Sequence, residues 1–168
     1  MTVRDLLLIL AFYFVVFVVV TYLTRAKARR ILGAVAGAVV FGVVGVLSVA
    51  LGEARGWWRV PLPDSRGFQF LFWLGLVVSC APDYLVLWRI VRRFGPRGLA
   101  VSLLVVVIIG PPRDYWIAAM FPRWMTFGPG IVPILADAAV YALLVIVGYA
   151  VMRLIAGPDL ADSLARQR

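Results

Sequence analysis

Long apolar runs alternate with short polar connections along the whole chain. The first run, residues 6–23, is long enough to cross a hydrocarbon core about 30 Å thick as a helix. A cluster of basic residues follows this long run, a stop-transfer pattern, so the segment is interpreted as a retained helix and not as a cleaved signal peptide. The pattern as a whole predicts five membrane-spanning helices, over residues 6–23, 31–51, 68–91, 98–112 and 131–155.

The predicted fold class is all-α, a polytopic integral membrane protein in which residues 1–168 form a single transmembrane domain. The composition agrees, because 64% of the residues are hydrophobic, only 15% are charged and the mean hydropathy is +0.99, far outside the range of soluble proteins. Residues 113–125 are predicted to form an amphipathic helix in the membrane interface before the last span, since their apolar and aromatic residues recur at spacings of three and four.

The stretch GPPRDYW, residues 110–116, places two prolines directly before an arginine and an aspartate. The prolines remove two backbone donors, so the fourth helix is expected to kink or stop there. The pair Arg113–Asp114, together with Arg123, is therefore predicted to form a charge cluster at the outer interface, where charge costs less than at the midplane. The alternative is a re-entrant hairpin over residues 98–125, which is tolerated only where protein covers the backbone.

Basic residues are distributed unevenly between the two ends of the predicted helices. Eleven of the seventeen Lys and Arg residues fall at one end, and the end richer in these residues normally faces the cytoplasm. This predicts an N-terminus outside and a C-terminus in the cytoplasm; the small size and the excess of Arg over Lys favour a bacterial cytoplasmic (inner) membrane. The eleven residues are Arg25, Lys27, Arg29, Arg30, Arg89, Arg92, Arg93, Arg97, Arg153, Arg166 and Arg168.

Small residues line one face of the second predicted span. Gly33 and Gly37 form a GxxxG motif, and further small residues fall at helical spacing, namely Ala34, Ala38, Gly42 and Gly45. Such a face lets another helix backbone approach closely, which is how helices associate in lipid. The preferred interpretation is packing within the protein; the alternative is that the Gly33/Gly37 face binds a protein partner or a second copy of the chain.

Asp83 is the most suggestive ionisable residue in an apolar run. It follows Pro82 and precedes Tyr84, about 22 Å from the outer end of the third span at 1.5 Å per residue. An intramembrane acid is a functional hypothesis by default, so Asp83 and Tyr84 are candidates for binding a ligand or a proton. The structural alternative is a helix-kink acid that is tied to Arg89 or Arg153.

Asp137 is the third candidate for binding a ligand or a proton. It lies about 9 Å below the outer end of the fifth span, near the predicted level of Arg113. The preferred interpretation is an ion pair between Arg113 and Asp137 that holds helices four and five together. Asp83 and Asp137 are predicted to differ in depth by about 13 Å, so a catalytic pair of carboxyl groups is not expected.

Several kinds of chemistry are not expected. The chain has no histidine and one cysteine, Cys80, which argues against a disulfide, a metal site and the common nucleophile–base arrangements. Residues Gly128–Pro129–Gly130 lack the lysine and the strand–helix context of a phosphate-binding loop. No catalytic residue and no cofactor are predicted. The net charge of +9 is attributed to topology and to anionic lipid headgroups at the cytoplasmic face, and not to nucleic acid binding.

Three function classes remain open at this point. The first is an accessory, scaffold or lipid-contacting subunit of a membrane complex, which agrees with packing motifs and no assembled catalytic set. The second is a small proton-coupled transporter or a hydrophobic-ligand carrier that uses Asp83; two broken helices favour it, but no internal repeat supports it. The third is an enzyme that modifies lipid headgroups with Arg113, Asp114 and Arg123.

Overall fold

The structure is a computed structural model, and it describes residues 2–157. Arg166 and Arg168, which contributed to the predicted orientation, lie outside the described residues. The described part contains four helices and two very short strands. In chain order these are α1 (Val3–Thr24), α2 (Ala28–Ala54), β1 (Trp58–Arg59), α3 (Arg66–Met120), β2 (Thr126–Phe127) and α4 (Val132–Ala156).

The all-α prediction is confirmed, and the helices indicate a membrane protein. Within residues 2–157, four helices are long and apolar enough to cross a membrane, instead of the five that were predicted. The difference arises because the predicted spans 68–91 and 98–112 both belong to α3, which has 55 residues. The two spans follow each other directly at Gly95, with no intervening loop, and are therefore counted as one element.

The helix α3 is not straight, because its backbone breaks at Gly95. This residue has φ 64° and ψ −150°, a conformation outside the helical region that glycine alone adopts without strain. A Cβ atom placed on Gly98 would lie 3.0 Å from the carbonyl oxygen of Ile90, whereas eight residues of straight helix span about 12 Å. The chain therefore folds back, and α3 consists of a first limb, residues 66–94, and a second limb, residues 96–120.

The second limb continues past the point where the sequence predicted its end. It passes through Pro111 and Pro112 and ends at Met120, so residues 113–120 are the last turns of α3 and not a separate interfacial helix. Residues 121–125 form an irregular turn. Each proline removes one backbone hydrogen bond, and membrane helices tolerate this loss where neighbouring protein packs against the site. Here Gly110 and Pro111 are buried, and the ring of Tyr141 on α4 lies against Gly110.

The helices α2 and α4 approach each other through glycine backbones. A Cβ atom on Gly37 would lie 2.6 Å from the carbonyl oxygen of Gly148, and one on Gly33 would lie 2.9 Å from that of Met152. Gly42 instead faces the side chains of Trp73 and Val77 on the first limb of α3. These contacts favour the interpretation that the small-residue face serves packing within the chain.

The two strands identify the two ends of the helix bundle. They pair antiparallel, with Trp58 opposite Phe127, and thereby join the connection after α2 to the connection after α3. We call this side of the molecule the ribbon end. The opposite side carries the connection between α1 and α2, where Arg29 donates a hydrogen bond to the carbonyl of Ile155 and Arg89 donates one to that of Thr24. We call it the basic end.

The contact between α2 and α4 yields a matched pair of glycine substitutions. We expect Gly37→Ala to lower the free energy of unfolding by about 1–3 kcal/mol, because the new methyl group meets backbone that cannot rotate away. Gly75→Ala is the control, since nothing lies within 4 Å of its Cβ position. Unfolding of the purified protein by titration with a denaturing detergent measures both, and equal stability of the two variants would contradict the packing described.

The break in α3 gives a second stability prediction. Gly95→Ala adds a methyl group that would have no atom within 4 Å, so it causes no steric clash. The backbone φ of 64° is nevertheless strained for any residue other than glycine. We expect a loss of about 1–3 kcal/mol in the same unfolding assay. A variant as stable as the Gly75→Ala control would mean that residues 90–98 do not require the fold-back conformation.

Candidate functional site

Arg113, Asp114 and Tyr141 form a closed polar triangle between α3 and α4. The Nε and Nη2 atoms of Arg113 donate hydrogen bonds of 3.0 and 2.9 Å to Oδ1 of Asp114. The hydroxyl of Tyr141 donates a bond of 2.6 Å to Oδ2 of Asp114 and accepts one from Arg113. Charge-assisted bonds of this kind are stronger than those between neutral groups, so the triangle holds the second limb of α3 against α4.

The triangle lies inside the helical part of the molecule and not at its boundary. Arg113 is seven residues before the last residue of α3, about 10 Å at 1.5 Å per residue. Tyr141 is nine residues after the start of α4, about 14 Å by the same measure. The two counts differ by about 4 Å, and both place the pair about two turns or more inside its helix, because α3 does not end at its prolines.

Arg123 is not part of this triangle. It lies in the turn after α3, where its side chain is exposed, and no hydrogen bond or ion pair links it to Arg113 or Asp114 within residues 2–157. The third member of the triangle is Tyr141, which was not predicted from the sequence. The available signal was its spacing of four residues from Asp137, which puts both side chains on one face of α4.

Asp137 is buried beside the triangle but does not join it. The residue is 6% exposed, and its Oδ2 atom is fully buried without a hydrogen-bond partner among the described residues. Arg113 and Asp114 lie within Coulombic range of its carboxyl group. The predicted ion pair between Arg113 and Asp137 is not the one formed, because the guanidinium is engaged by the neighbouring Asp114.

Tyr115 supplies a second buried polar atom near Asp137. Its hydroxyl oxygen also has no hydrogen-bond partner among the described residues, and it lies within Coulombic range of the Asp137 carboxyl group. The ring is stacked on Phe127 of β2, with centroids 3.9 Å apart and planes inclined by 16°. The strand ribbon therefore holds this tyrosine in place at the ribbon end of the cluster.

Asp83 and Tyr84 face in different directions on the first limb of α3. Tyr84 is buried, its hydroxyl donates a 2.8 Å hydrogen bond to the carbonyl of Leu144, and its ring lies against Gly148. This side chain therefore holds the first limb against α4. Asp83 is exposed on the surface of the chain, and Arg113 lies within Coulombic range of it.

The structural alternative for Asp83 named two arginines of the basic end. Arg89 donates its hydrogen bond to the carbonyl of Thr24 at the end of α1, 3.2 Å away, so it serves the junction of two helices. Arg153 lies in the last turn of α4 and is exposed. The cation within range of Asp83 is Arg113 of the second limb, which the fold-back at Gly95 brings beside the first limb.

The arrangement gathers three carboxyl groups around one guanidinium. Asp83, Asp114 and Asp137 come from the first limb, the second limb and α4, and Arg113 is within range of each. If all three acids were ionised, the cluster would carry a net charge of −2 in surroundings of low polarity, which is costly. Such a cluster can retain a proton on one carboxyl group or attract a cationic or hydrogen-bond-donating partner.

A substitution of Tyr141 tests the triangle. We expect Tyr141→Phe to lower the free energy of unfolding by about 1–3 kcal/mol, because Oδ2 of Asp114 loses its donor while it stays largely covered. Tyr22→Phe is the matched control, since Tyr22 is 81% exposed. Detergent unfolding of both variants provides the measurement; a Tyr141→Phe protein as stable as the control would show that this hydroxyl adds nothing to the contact of α3 with α4.

Comparison with known proteins assigns no family to the chain. Protein-family models, curated proteins and solved structures were all compared with it, and none of them matches. A function is therefore proposed from the fold, the exposed surface and the polar cluster around Arg113.

Proposed function

We propose that the protein is a small integral membrane protein that acts as an accessory or scaffold subunit of a membrane complex. The observation that carries this proposal is the exposure of charged groups inside the helical part. The Arg113 side chain is 56% exposed and Asp83 is exposed as well. A charge that faces acyl chains costs on the order of 3 kcal/mol, and a partner helix that covers these groups removes that cost.

The same proposal includes a topology of five crossings. The fold-back at Gly95 supports it, because each limb of α3 exceeds twenty residues and both limbs contact α4, through Tyr84 and through Gly110. The N-terminus would then lie outside and the C-terminus in the cytoplasm of a bacterial cell. The basic end supports this orientation, and its arginines would face the anionic headgroups of the cytoplasmic leaflet.

The exposed surface suggests the chemistry of the partner. Because Arg113 is already paired with Asp114, the carboxyl group of Asp83 is the uncompensated charge on this face. A partner helix that carries a lysine, an arginine or a neutral hydrogen-bond donor at the same depth would complement it. We call the surface formed by Asp83, Val86 and Arg113 the Asp83 face.

A second candidate function is a proton-coupled carrier, or a carrier of a hydrophobic ligand, that uses Asp83. The three carboxyl groups around Arg113 favour it. A carrier also requires a path from water to this cluster. The groove of about 620 Å³ beside the start of α1 and α3, and a cavity of about 20 Å³ at the basic end, are both lined by other residues. An enzyme of lipid headgroups receives less support, because Arg123 lies apart from Arg113 and Asp114.

Site-specific photo-crosslinking in native membranes tests the subunit proposal. A photoreactive amino acid replaces Val86, which is 42% exposed and lies one turn after Asp83, and in a control it replaces Ile146 of α4, which is 50% exposed. We expect a discrete protein adduct from position 86 alone. Adding Asp83→Asn should reduce that adduct about tenfold, since an intramembrane polar contact contributes about 1–2 kcal/mol.

The loop carboxylate Asp64 supplies the matched charge control. Asp64→Asn removes an exposed acid outside the helices and should leave the adduct unchanged. The proposal fails if position 86 yields only lipid adducts, as expected for position 146. It also fails if the protein adduct is equally strong with Asp83→Asn, because the Asp83 face would then not select the partner.

A further inference from the structure

We propose that Asp137 and Tyr115 form a proton-binding site within the bundle, at the ribbon end. The inference starts from the two buried oxygen atoms that lack hydrogen-bond partners among the described residues, Oδ2 of Asp137 and the hydroxyl of Tyr115. Buried polar atoms are almost always hydrogen-bonded, so each of these two oxygens needs a partner. Because the two groups also lie within Coulombic range of each other, we infer that one bound species serves both. This proposal does not depend on a partner at the Asp83 face.

The position of Asp137 makes an uncompensated charge costly there. The residue is 6% exposed on α4, one helical turn before Tyr141. The guanidinium within Coulombic range of it, that of Arg113, is already bound to Asp114 through two hydrogen bonds. A second carboxylate beside this neutral pair would be a buried negative charge without a counter-ion, which favours the protonated form.

The groups around the site come from four elements. From the second limb of α3 come the charges of Arg113 and Asp114 and the hydroxyl of Tyr115; from α4 comes the hydroxyl of Tyr141. Tyr13 of α1 lies within Coulombic range of Arg113. Phe127 of β2 covers Tyr115 with an apolar ring. Only Arg113 is cationic in this set, and its charge is shared with Asp114.

The chemistry is the transfer of one proton from water. A hydronium ion gives its proton to Oδ2 of Asp137, which leaves a neutral carboxyl group and a water molecule. The new O–H group donates to one bridging water molecule, which in turn donates to the hydroxyl oxygen of Tyr115, so that both atoms that now lack partners are satisfied. Asp137 lies five residues after the start of α4, about 8 Å from the ribbon end, which is the nearer of the two ends of this helix.

Infrared difference spectroscopy of the full chain in lipid nanodiscs tests the site. The carbonyl band of a protonated carboxylic acid should be present at neutral pH, should disappear in Asp137→Asn, and should persist in Asp83→Asn and in Asp64→Asn. Tyr115→Phe keeps the stacked ring but removes the hydroxyl group, so it should shift the frequency of the band without abolishing it.

Other results would overturn the proposal. These are the absence of a protonated carboxyl band at neutral pH, its loss in Asp83→Asn instead of Asp137→Asn, or an unshifted band in Tyr115→Phe. If Asp137→Asn does not fold, the proton-binding site is still tested by the carboxyl band of the unaltered protein and by the shift of that band in Tyr115→Phe. Failure of the crosslinking experiment at position 86 leaves these results unaffected, so the two proposals can be judged separately.

Discussion

The backbone contact between Gly37 and Gly148 is the interaction on which the remaining arrangement depends. Because neither residue carries a side chain, the backbones of α2 and α4 come into close contact. The Tyr84 side chain occupies the space that a side chain on Gly148 would fill. The Tyr84 hydroxyl then binds the carbonyl of Leu144 and positions the first limb of α3 on α4. In a membrane, where burial of apolar surface does not drive helix association, such close packing and hydrogen bonding provide the attraction.

The position of the polar cluster follows from this contact. Once the first limb is seated on α4, the break at Gly95 returns the second limb to the same helix, and Gly110 gives the Tyr141 ring room to approach. Arg113 then meets Asp114 and Tyr141 well inside the helical part. Two groups of the cluster lack a partner among the described residues: the exposed carboxylate of Asp83 lacks an ion-pair partner, and the buried Oδ2 atom of Asp137 lacks a hydrogen-bond partner. Each of them is the basis of a separate proposal.

Part of the candidate site was predictable because an acid in an apolar run is conspicuous. Asp83, Asp114 and Asp137 were all recognised in this way, and Arg113 was recognised with them. Tyr141 and Tyr115 were not, since a tyrosine in a membrane helix is ordinary until a partner is known. The partner of Arg113 was assigned to Asp137 from estimated depth alone, and depth along a helix axis does not specify which side of the helix a carboxyl group faces.

The sequence by itself determined the all-α class, the membrane character and the small-residue face of α2, because hydrophobic length and helical spacing are local properties of the chain. The tertiary structure decided that α3 continues through Pro111 and Pro112, that Gly95 reverses it, and that Asp83 faces outward while Tyr84 faces α4. These features depend on how far one helix is shifted and rotated against its neighbour. A few close contacts at Gly37, Gly110 and Gly148 set that register, and no periodicity in the sequence encodes it.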